Sequence, residues 1–257
     1  MTDLADREKR RLGEQQRLDS SKSAIERNAW GQFATPSGLA EEMLRYARAL
    51  AGRVRFLDPA IGTGSFYSAL RNVFQPDQVE AATGVELDPG FAEVARQLWA
   101  GTGLQVMEAD FTTLPPEPRF NLIVSNPPYV RHHHLAAAAK QRLQHQVLLR
   151  HRIRLSGLSG LYCYFLLLSD AWLEEGGLSV WLIPSEFMDV NYGHALKQYL
   201  TERVELLHIH RFSPADVQFT DALVSSAIVV FRKTRPAPDH EVKMSFGGSL
   251  PSPPCQD

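Results

Sequence analysis

Cysteine is scarce in this 257-residue sequence, which contains only Cys163 and Cys255. Two cysteines cannot build the disulfide framework of a small secreted domain, and they are typical of a reducing compartment. Long apolar runs are also missing: the longest, residues 161–168, is far shorter than the roughly 20 apolar residues that a membrane-spanning helix needs. The first 30 residues mix seven Lys or Arg with six Asp or Glu and hold no apolar core of a signal peptide. We therefore expect a cytoplasmic protein with no membrane partner.

Neither sign of charge is in excess, since 27 Lys and Arg stand against 29 Asp and Glu. Taken alone, the net charge of −2 argues against a nucleic-acid partner. The distribution argues the other way, because residues 131–169 contain no Asp or Glu but hold five of the nine histidines. Two interpretations are open for this segment, a solvated helix face and a surface that faces nucleic-acid phosphates; its position directly after the motif described below favours the second. Its basic residues are Arg131, Lys140, Arg142, Arg150, Arg152 and Arg154. Three adjacent histidines at 132–134 predict no metal site, because neighbouring side chains rarely converge on one ion and no Cys or carboxylate lies nearby in the sequence.

Short apolar runs alternate with helical patterns along most of the chain, which is typical of βαβ units. We predict a doubly wound, Rossmann-like α/β fold with a seven-stranded, mostly parallel sheet and an antiparallel terminal hairpin. Thr35 and Pro36 predict the N-cap and first residue of a helix ahead of the first strand. The predicted domain division is a helical or frayed extension (1–30), a catalytic domain (31–233) and a linker-like tail (234–257). The predicted strands cover 53–57, 84–87, 104–107, 121–124, 178–183, 204–210 and 226–231, and the predicted helices 65–73, 90–101, 161–173 and 191–201.

A glycine pair and two carboxylates predict a nucleoside pocket at the ends of the first three strands. Gly62 and Gly64 follow the first strand, where the backbone can approach a ligand closely. Glu86, 22 residues after Gly64, ends the second strand and is placed to bind both hydroxyls of a ribose. Asp110 follows the third strand and can accept from an adenine amine, with Phe111 against the ring. Neither a dinucleotide fingerprint nor a P-loop is present, so the expected ligand carries adenosine without a pyrophosphate.

The most specific motif is Asn126-Pro-Pro-Tyr129, which follows the fourth strand. The Asn126 side-chain oxygen and the Pro127 carbonyl can both accept from one planar amino group. Two converging acceptors stabilise the positive charge that develops on such a nitrogen during attack, so no strong base is needed. Tyr129 offers a flat face for stacking. This arrangement predicts a site that activates a conjugated amine.

These motifs together resemble the S-adenosylmethionine-dependent amino-methyltransferases of class I fold. Residues 31–36 (Gly-Gln-Phe-Ala-Thr-Pro) narrow the resemblance to the gamma-type N6-adenine DNA methyltransferases of restriction–modification systems. The resemblance implies that Asn126 and Pro127 bind the target amine and that Tyr129 and Phe219 stack on a flipped adenine in DNA. Residues 131–154 would then contact the DNA backbone. The implied cofactor is S-adenosylmethionine, with no metal, held by Thr35, Asp58, Ala60, Gly62 and Gly64 at its methionine part, Glu86 at its ribose, and Asp110 and Phe111 at its adenine.

Proteins of this family generally carry a target-recognition domain after the catalytic domain, whereas about 25 linker-like residues follow Phe231 here. Three explanations stay open: a truncated chain, specificity taken from a separate domain or subunit, and a solitary catalytic module. Two other functions also stay open. One is methylation of a protein glutamine amide or an RNA base, and the other is a non-catalytic DNA-binding subunit with this fold.

Overall fold

The computed structural model describes residues 3–23, 26–27, 30–213, 216 and 225–253. Helices alternate with strands through most of this range, as the pattern of apolar runs predicts. The helices are α1 (Leu4–Ser20), α2 (Ser37–Leu50), α3 (Ser65–Val73), α4 (Pro89–Leu98), α5 (Ala137–His151), α6 (Leu161–Ser169) and α7 (His194–Glu202). The strands are β1 (Val54–Asp58), β2 (Val79–Glu86), β3 (Leu104–Glu108), β4 (Phe120–Ser125), β5 (Leu173–Pro184), β6 (Glu205–Arg211), β7 (Ser226–Arg232) and β8 (Lys243–Phe246).

Within the described residues, the strands form one sheet in the order β3-β2-β1-β4-β5-β7-β6-β8. The first five strands in chain order are parallel, and β7 runs antiparallel to both β5 and β6. The predicted parallel sheet with an antiparallel terminal hairpin is therefore confirmed. The chain winds outward in both directions from β1 and β4, and ligands of such sheets bind beyond the carboxyl ends of the strands at this switch point.

Helices cover both faces of the sheet because neighbouring strand residues point to opposite sides. In β1, Phe56 packs into the core beneath α2, α3 and α4, whereas the next residue, Leu57, packs into the core beneath α5, α6 and α7. Leu122 and Ile123 of β4 repeat this alternation beside them. No helix within the described ranges is long and apolar enough to cross a membrane.

The prediction of seven strands was one strand short. Residues 243–246, inside the predicted linker-like tail, form β8, which pairs in parallel with the outer side of β6. Its Ser245 hydroxyl lies 2.7 Å from Nε2 of His208 and 2.8 Å from Nδ1 of His210, and both histidines are fully buried. Met244 and Phe246 are 61% and 66% exposed, so the strand buries too little apolar surface to give a clear hydrophobic pattern.

The predicted helix over 161–173 was also too long. α6 ends at Ser169 and β5 begins at Leu173, with one turn of 3₁₀ helix between them. Residues 4–20 of the predicted extension form α1, which packs against α3 and α4.

Candidate cofactor and amine site

A cavity of about 470 Å³ opens at the carboxyl ends of β1, β2, β3 and β4. This is the switch point of the sheet, so the fold brings together residues that are far apart in the sequence. Most of the predicted ligand-binding residues share its wall: Thr35, Asp58, Ala60, Gly62, Glu86, Asp110, Phe111 and Asn126.

The glycine loop after β1, residues 60–64, is shaped by two left-handed glycines. Gly62 has φ +55° and Gly64 has φ +95°, a region that other residues rarely adopt. A Cβ on Gly64 would lie 2.4 Å from the indole nitrogen of Trp99, and that nitrogen donates a hydrogen bond to the Thr63 carbonyl at 2.9 Å. The second glycine is therefore required by packing beneath the loop rather than by the ligand directly.

Glu86 joins the glycine loop to the end of β2. Its two carboxylate oxygens accept from the backbone nitrogens of Gly62 at 2.8 Å and Asp88 at 2.9 Å. Burial raises the pKa of Glu86 above its ordinary value, although these hydrogen bonds act in the opposite direction. The neighbouring Asp88 caps α4 by accepting from the backbone nitrogen of Gly90.

Asp58, at the end of β1, is almost completely buried, with 1% of its surface exposed. One carboxylate oxygen accepts from the Ala60 backbone nitrogen at 3.1 Å and from the Ser125 hydroxyl at 3.0 Å. Burial, together with the nearby charge of Glu86, raises the pKa of Asp58 to about 7 despite these two bonds. This carboxyl group is therefore poised to ionise near neutral pH, and a cationic ligand would favour its charged form.

Asp110 makes two contacts within the protein, one to the backbone and one to a neighbouring cation. Its Oδ1 caps a short 3₁₀ helix by accepting from the Thr112 backbone at 2.9 Å, while its Oδ2 lies 3.6 Å from the guanidinium of Arg142 on α5. Phe111, beside it, packs against the rings of Phe165 and Trp172.

Asn126 is the most distinctive residue of the wall. Its amide nitrogen donates to the Phe33 carbonyl at 2.8 Å and to the Thr35 hydroxyl at 3.1 Å. Its side-chain oxygen, Oδ1, is buried and has no hydrogen-bond partner. Buried polar atoms are nearly always paired, so this lone acceptor is typical of an atom that a ligand satisfies. The prediction that Thr35 is the N-cap of α2 was wrong. Pro36 occupies the N-cap position, and the Thr35 hydroxyl faces Asn126 instead.

Residues 31–36 lie directly against the Asn-Pro-Pro-Tyr segment. Tyr129 donates its backbone N–H to the Gly31 carbonyl at 3.0 Å. Gly31 has φ +61°, and a Cβ there would lie 2.3 Å from the Tyr129 nitrogen, so only glycine fits. This contact brings together two motifs that lie 95 residues apart in the sequence.

Pro127 and Tyr129 do not appear in the cavity wall, where Pro128 and Val130 lie instead. The Tyr129 ring is 7% exposed, packs 5.7 Å from the ring of Phe33, and donates its hydroxyl to the Leu182 carbonyl at 3.1 Å. Phe219, the other ring expected to stack on a base, lies outside the described residues.

The predicted phosphate-contacting residues separate into two groups. The first group lies at the surface: Lys140 is half-buried, and four arginines are exposed, namely Arg131, Arg150, Arg152 and Arg154. Arg142 differs from all of them, because it lines the cavity and donates to the carbonyl of Thr112 at 3.1 Å.

Sequence reasoning missed a wall of the cavity that α1 supplies. Gln15 and Asp19 line it, and the buried Arg11 contacts the glycine loop behind it. The carbonyl of Phe33 was missed as well, since backbone acceptors leave no signal in residue type. Only the helical spacing of residues 11, 15 and 19 could have indicated α1, and it did not distinguish an inward face from a solvated one.

The lining carries more negative than positive charge. Among the described residues of the wall, the carboxylates are Asp19, Asp58, Glu86 and Asp110, and the one Lys or Arg is Arg142. Apolar residues, an acidic wall and a buried unpaired amide oxygen fit a nucleoside that carries a positive charge, which is the chemistry of S-adenosylmethionine. Within the described ranges, no three His, Cys, Asp or Glu side chains form a group that could hold a metal ion.

Comparison with known proteins supports this assignment. The family model of the Eco57I restriction-modification methylases matches residues 84–218. The type II methyltransferase M.XamI of Xanthomonas campestris pv. amaranthicola is 30% identical over 208 residues, which are 79% of this chain and 39% of M.XamI. The chain thus spans about two fifths of the length of this relative.

Two examples illustrate the solved structures that share the fold. One, from Listeria monocytogenes, is described as a class I S-adenosylmethionine-dependent methyltransferase; it is 16% identical with a TM-score of 0.64, covering 84% of this chain and 66% of its own. The other is the type I restriction-modification methyltransferase subunit of Streptococcus thermophilus, 21% identical with a TM-score of 0.65, covering 79% of this chain and 45% of its own. Because the family model covers more than half of the chain and M.XamI matches 79% of it, the protein belongs to the Eco57I family of restriction-modification methylases.

Proposed function

We propose that this chain transfers a methyl group from S-adenosylmethionine to the N6 amine of an adenine in DNA, as the modification activity of a restriction–modification system. The observation that carries this proposal is the Oδ1 atom of Asn126, a buried acceptor without a partner at the wall of a cavity that fits an adenosine cofactor. An exocyclic amine is the kind of donor that such an acceptor requires.

The chain's own residues divide the cofactor between them. Thr35, Asp58, Ala60 and the glycine loop hold the methionine part, and Glu86 holds the ribose. Asp110 and Phe111 hold the adenine ring. When bound, S-adenosylmethionine supplies an electrophilic methyl group on a positively charged sulfur.

Asn126 and Pro127 activate the target nitrogen without a strong base. Asn126 Oδ1 and the Pro127 carbonyl would each accept a hydrogen bond from the amine, which would orient the nitrogen toward the methyl group and stabilise its developing positive charge. Because Pro127 does not line the cavity in the structure, its carbonyl must become accessible when the base enters. Methyl transfer would form a nitrogen–carbon bond as the sulfur–carbon bond breaks, leaving S-adenosylhomocysteine, and the methylated nitrogen would then release one proton to water.

A base paired inside a duplex cannot reach this wall, so the adenine must be extruded, at a cost of a few kcal/mol. Phe219 and Tyr129 are proposed to contact its two faces. Since the Tyr129 ring is buried in the structure, this function requires that the ring become accessible when the base enters. The exposed Arg131, Arg150, Arg152 and Arg154, with Lys140, would hold the phosphates of the distorted strand.

The decisive experiment incubates the protein with methyl-labelled cofactor and separate pools of unmethylated DNA, RNA and protein. We expect label in DNA alone, recovered after digestion to nucleosides as N6-methyl-2′-deoxyadenosine rather than N4-methyl-2′-deoxycytidine. Label found only in protein would refute the DNA proposal and favour a glutamine amide, and label only in RNA would favour an RNA base.

Asn126→Ala separates an enzyme from a non-catalytic subunit of this fold. Removing one preorganised acceptor should lower methyl transfer by about 100-fold to 1,000-fold, while cofactor binding measured by calorimetry changes little. Equal transfer by variant and parent would remove Asn126 from its proposed function. A parent that binds cofactor but methylates none of the three pools would support the non-catalytic subunit.

A further inference from the structure

Most residues of helix α1 are charged, and one polar face of the helix packs against the domain. Arg11, Gln15 and Asp19 follow one another at intervals of four residues, so they share a face of the helix. Leu18, beside them, packs into the core beneath α3 and α4. The polar face is thereby held against the glycine loop rather than in solvent.

Arg11 is buried, with 1% of its surface exposed, which is rare for a charged side chain. Its guanidinium donates to the hydroxyls of Thr63 at 3.2 Å and Ser65 at 2.8 Å in and after the glycine loop, and to Ser37 at 3.2 Å at the start of α2. Glu8 neutralises it at 2.7 Å. Burial acts in the opposite direction, but hydrogen bonds from Arg11 and Ser37 hold the pKa of Glu8 below its ordinary value. One buried cation thus joins the glycine loop to the segment that carries Thr35.

Gln15 continues this network to the cavity surface. Its side-chain oxygen accepts from the Thr63 hydroxyl at 2.8 Å, and its nitrogen donates to both carboxylate oxygens of Asp19 at 3.0 Å. Gln15 and Asp19 line the cavity on the side of the glycine loop, whereas Asp110 and Arg142 line the wall built by the segment after β3 and by α5. The Asp19 carboxylate is therefore oriented at the cavity wall by Gln15, the residue that contacts Thr63 of the glycine loop.

The C-terminal end of α1 is also fixed. Lys22 pairs with Asp88 at 2.6 Å and lies 4.9 Å from the centre of the Phe91 ring at the start of α4. Contacts at Arg11 and at Lys22 therefore hold the helix segment between them in place against the cavity.

We propose that α1 is part of the cofactor site: Arg11 positions the glycine loop, and the Asp19 carboxylate binds the ammonium group at the amino-acid end of S-adenosylmethionine. This inference rests on the proposed function, because it assumes that cofactor. It adds a cofactor contact and a positioning residue from a segment that precedes every recognised motif of the chain.

The function of Asp19 is tested with two ligands and calorimetry. 5′-Methylthioadenosine has the nucleoside of the cofactor but lacks its amino-acid part. Asp19→Asn should weaken S-adenosylmethionine binding about tenfold, because a charge-assisted contact becomes a neutral one, and should leave methylthioadenosine binding within twofold. Glu14→Gln is the matched control, since Glu14 lies on the outer face of α1 and pairs with exposed Arg17. Equal weakening of both ligands, or of neither, would overturn the assignment of Asp19.

The function of Arg11 is tested with Arg11→Met, Arg11→Lys and the control Arg17→Met. Besides cofactor affinity, the measurement is the ¹⁹F resonance of 5-fluorotryptophan at Trp99, whose indole donates to the Thr63 carbonyl of the glycine loop. Arg11→Met should shift this resonance in cofactor-free protein and lower the affinity for S-adenosylmethionine at least tenfold. Arg11→Lys should give a smaller shift and a smaller loss of affinity. Arg17→Met should do neither.

A lowered melting temperature with parental affinity and an unchanged Trp99 resonance would reduce Arg11 to a folding residue and overturn this part. If Arg11→Met does not fold, the same two measurements on Arg11→Lys decide. A parent chain that fails to bind S-adenosylmethionine refutes the proposed function and this inference with it. Parental binding by all the α1 variants overturns this inference alone.

Discussion

The side-chain nitrogen of Asn126 donates a hydrogen bond to the hydroxyl of Thr35 over 3.1 Å, although the two residues lie 91 positions apart. With a second bond to the Phe33 carbonyl, both amide hydrogens are used inside the protein. Half a turn of the carboxamide would place its oxygen against the Phe33 carbonyl, which cannot donate, so the oxygen stays directed at the cavity. A residue that resembles a helix cap in the sequence thus orients the proposed catalytic acceptor.

Replacing Thr35 by Val should slow methyl transfer because one of the two bonds that orient Asn126 is lost. A hydrogen bond of this kind contributes about 1 kcal/mol, so we expect a decrease of roughly five- to tenfold in rate at saturating cofactor. Thr35→Ser keeps the hydroxyl and should retain most of the rate. Single-turnover kinetics of both variants measure this. Equal rates for Val and Ser would show that the Thr35 hydroxyl does not orient Asn126.

The raised pKa of Asp58, about 7, predicts that cofactor affinity depends on pH. A cationic ligand binds the ionised carboxylate better, so the affinity for S-adenosylmethionine should fall as pH decreases from 8 to 6. Asp58→Asn should bind more weakly at pH 8 and should lose most of this pH dependence. Calorimetry at several pH values measures the effect, and an unchanged profile in Asp58→Asn would assign it to another group.

The Asp58 carboxyl group should also make the folded state less stable at high pH. Its folded-state pKa, about 7, lies above its ordinary value of 3.8, so the folded state holds the proton more tightly than the unfolded state. The stabilising effect of that proton is fully present below pH 4 and is lost as pH rises toward and through 7. Asp58→Asn should therefore raise the melting temperature at pH 8 relative to the parent, with a smaller difference at pH 5. A lower melting temperature for the variant at pH 8 would contradict this.

The positions of Asp58, Glu86, Asp110 and Asn126 could be predicted from the sequence because the carboxyl ends of parallel strands meet at one edge of a sheet. Correct placement of four short apolar runs was sufficient to bring these residues together. The sequence contains no comparable rule for contacts such as Arg11 to Thr63, which join segments 52 residues apart.

The features that the sequence did not predict were missed for specific physical reasons. Charged residues are mostly exposed, so a helix with Arg at position 11 is interpreted as a solvated surface, and only its partners reveal that the cation is buried. β8 has four residues beside glycines and prolines and leaves Met244 and Phe246 exposed, so it resembles a tail. Whether the Arg142 side chain points to the cavity or to solvent depends on how α5 is rotated about its axis. A run of basic residues without acidic ones does not predict that rotation.

Gly31 offers a test of how residues 31–36 are held against the Asn-Pro-Pro-Tyr segment. A Cβ at this position would lie 2.3 Å from the Tyr129 nitrogen, and φ is +61°. Gly31→Ala should therefore destabilise the fold by at least about 1–2 kcal/mol and displace Asn126 from its partners. Gly38→Ala is the matched control, because a Cβ there meets nothing within 4 Å and alanine favours the helix. Denaturant unfolding and transfer rates measure both, and parental behaviour of Gly31→Ala would refute the close contact.

The exposed arginines after Tyr129 should determine how DNA affinity depends on salt. Each phosphate contact that is lost should reduce the slope of log affinity against log salt by about 0.9, so the double variant Arg131→Ala, Arg154→Ala should lower it by about 1.8. Arg142→Ala should leave that slope unchanged and weaken cofactor binding instead, since Arg142 contacts Thr112 in the cavity wall. Arg45→Ala, an exposed arginine on α2, controls for nonspecific loss of charge. Fluorescence anisotropy with a labelled duplex across a salt series separates these outcomes. An unchanged slope in the double variant would show that Arg131 and Arg154 do not contact DNA phosphates. A changed slope in Arg142→Ala would show that Arg142 does.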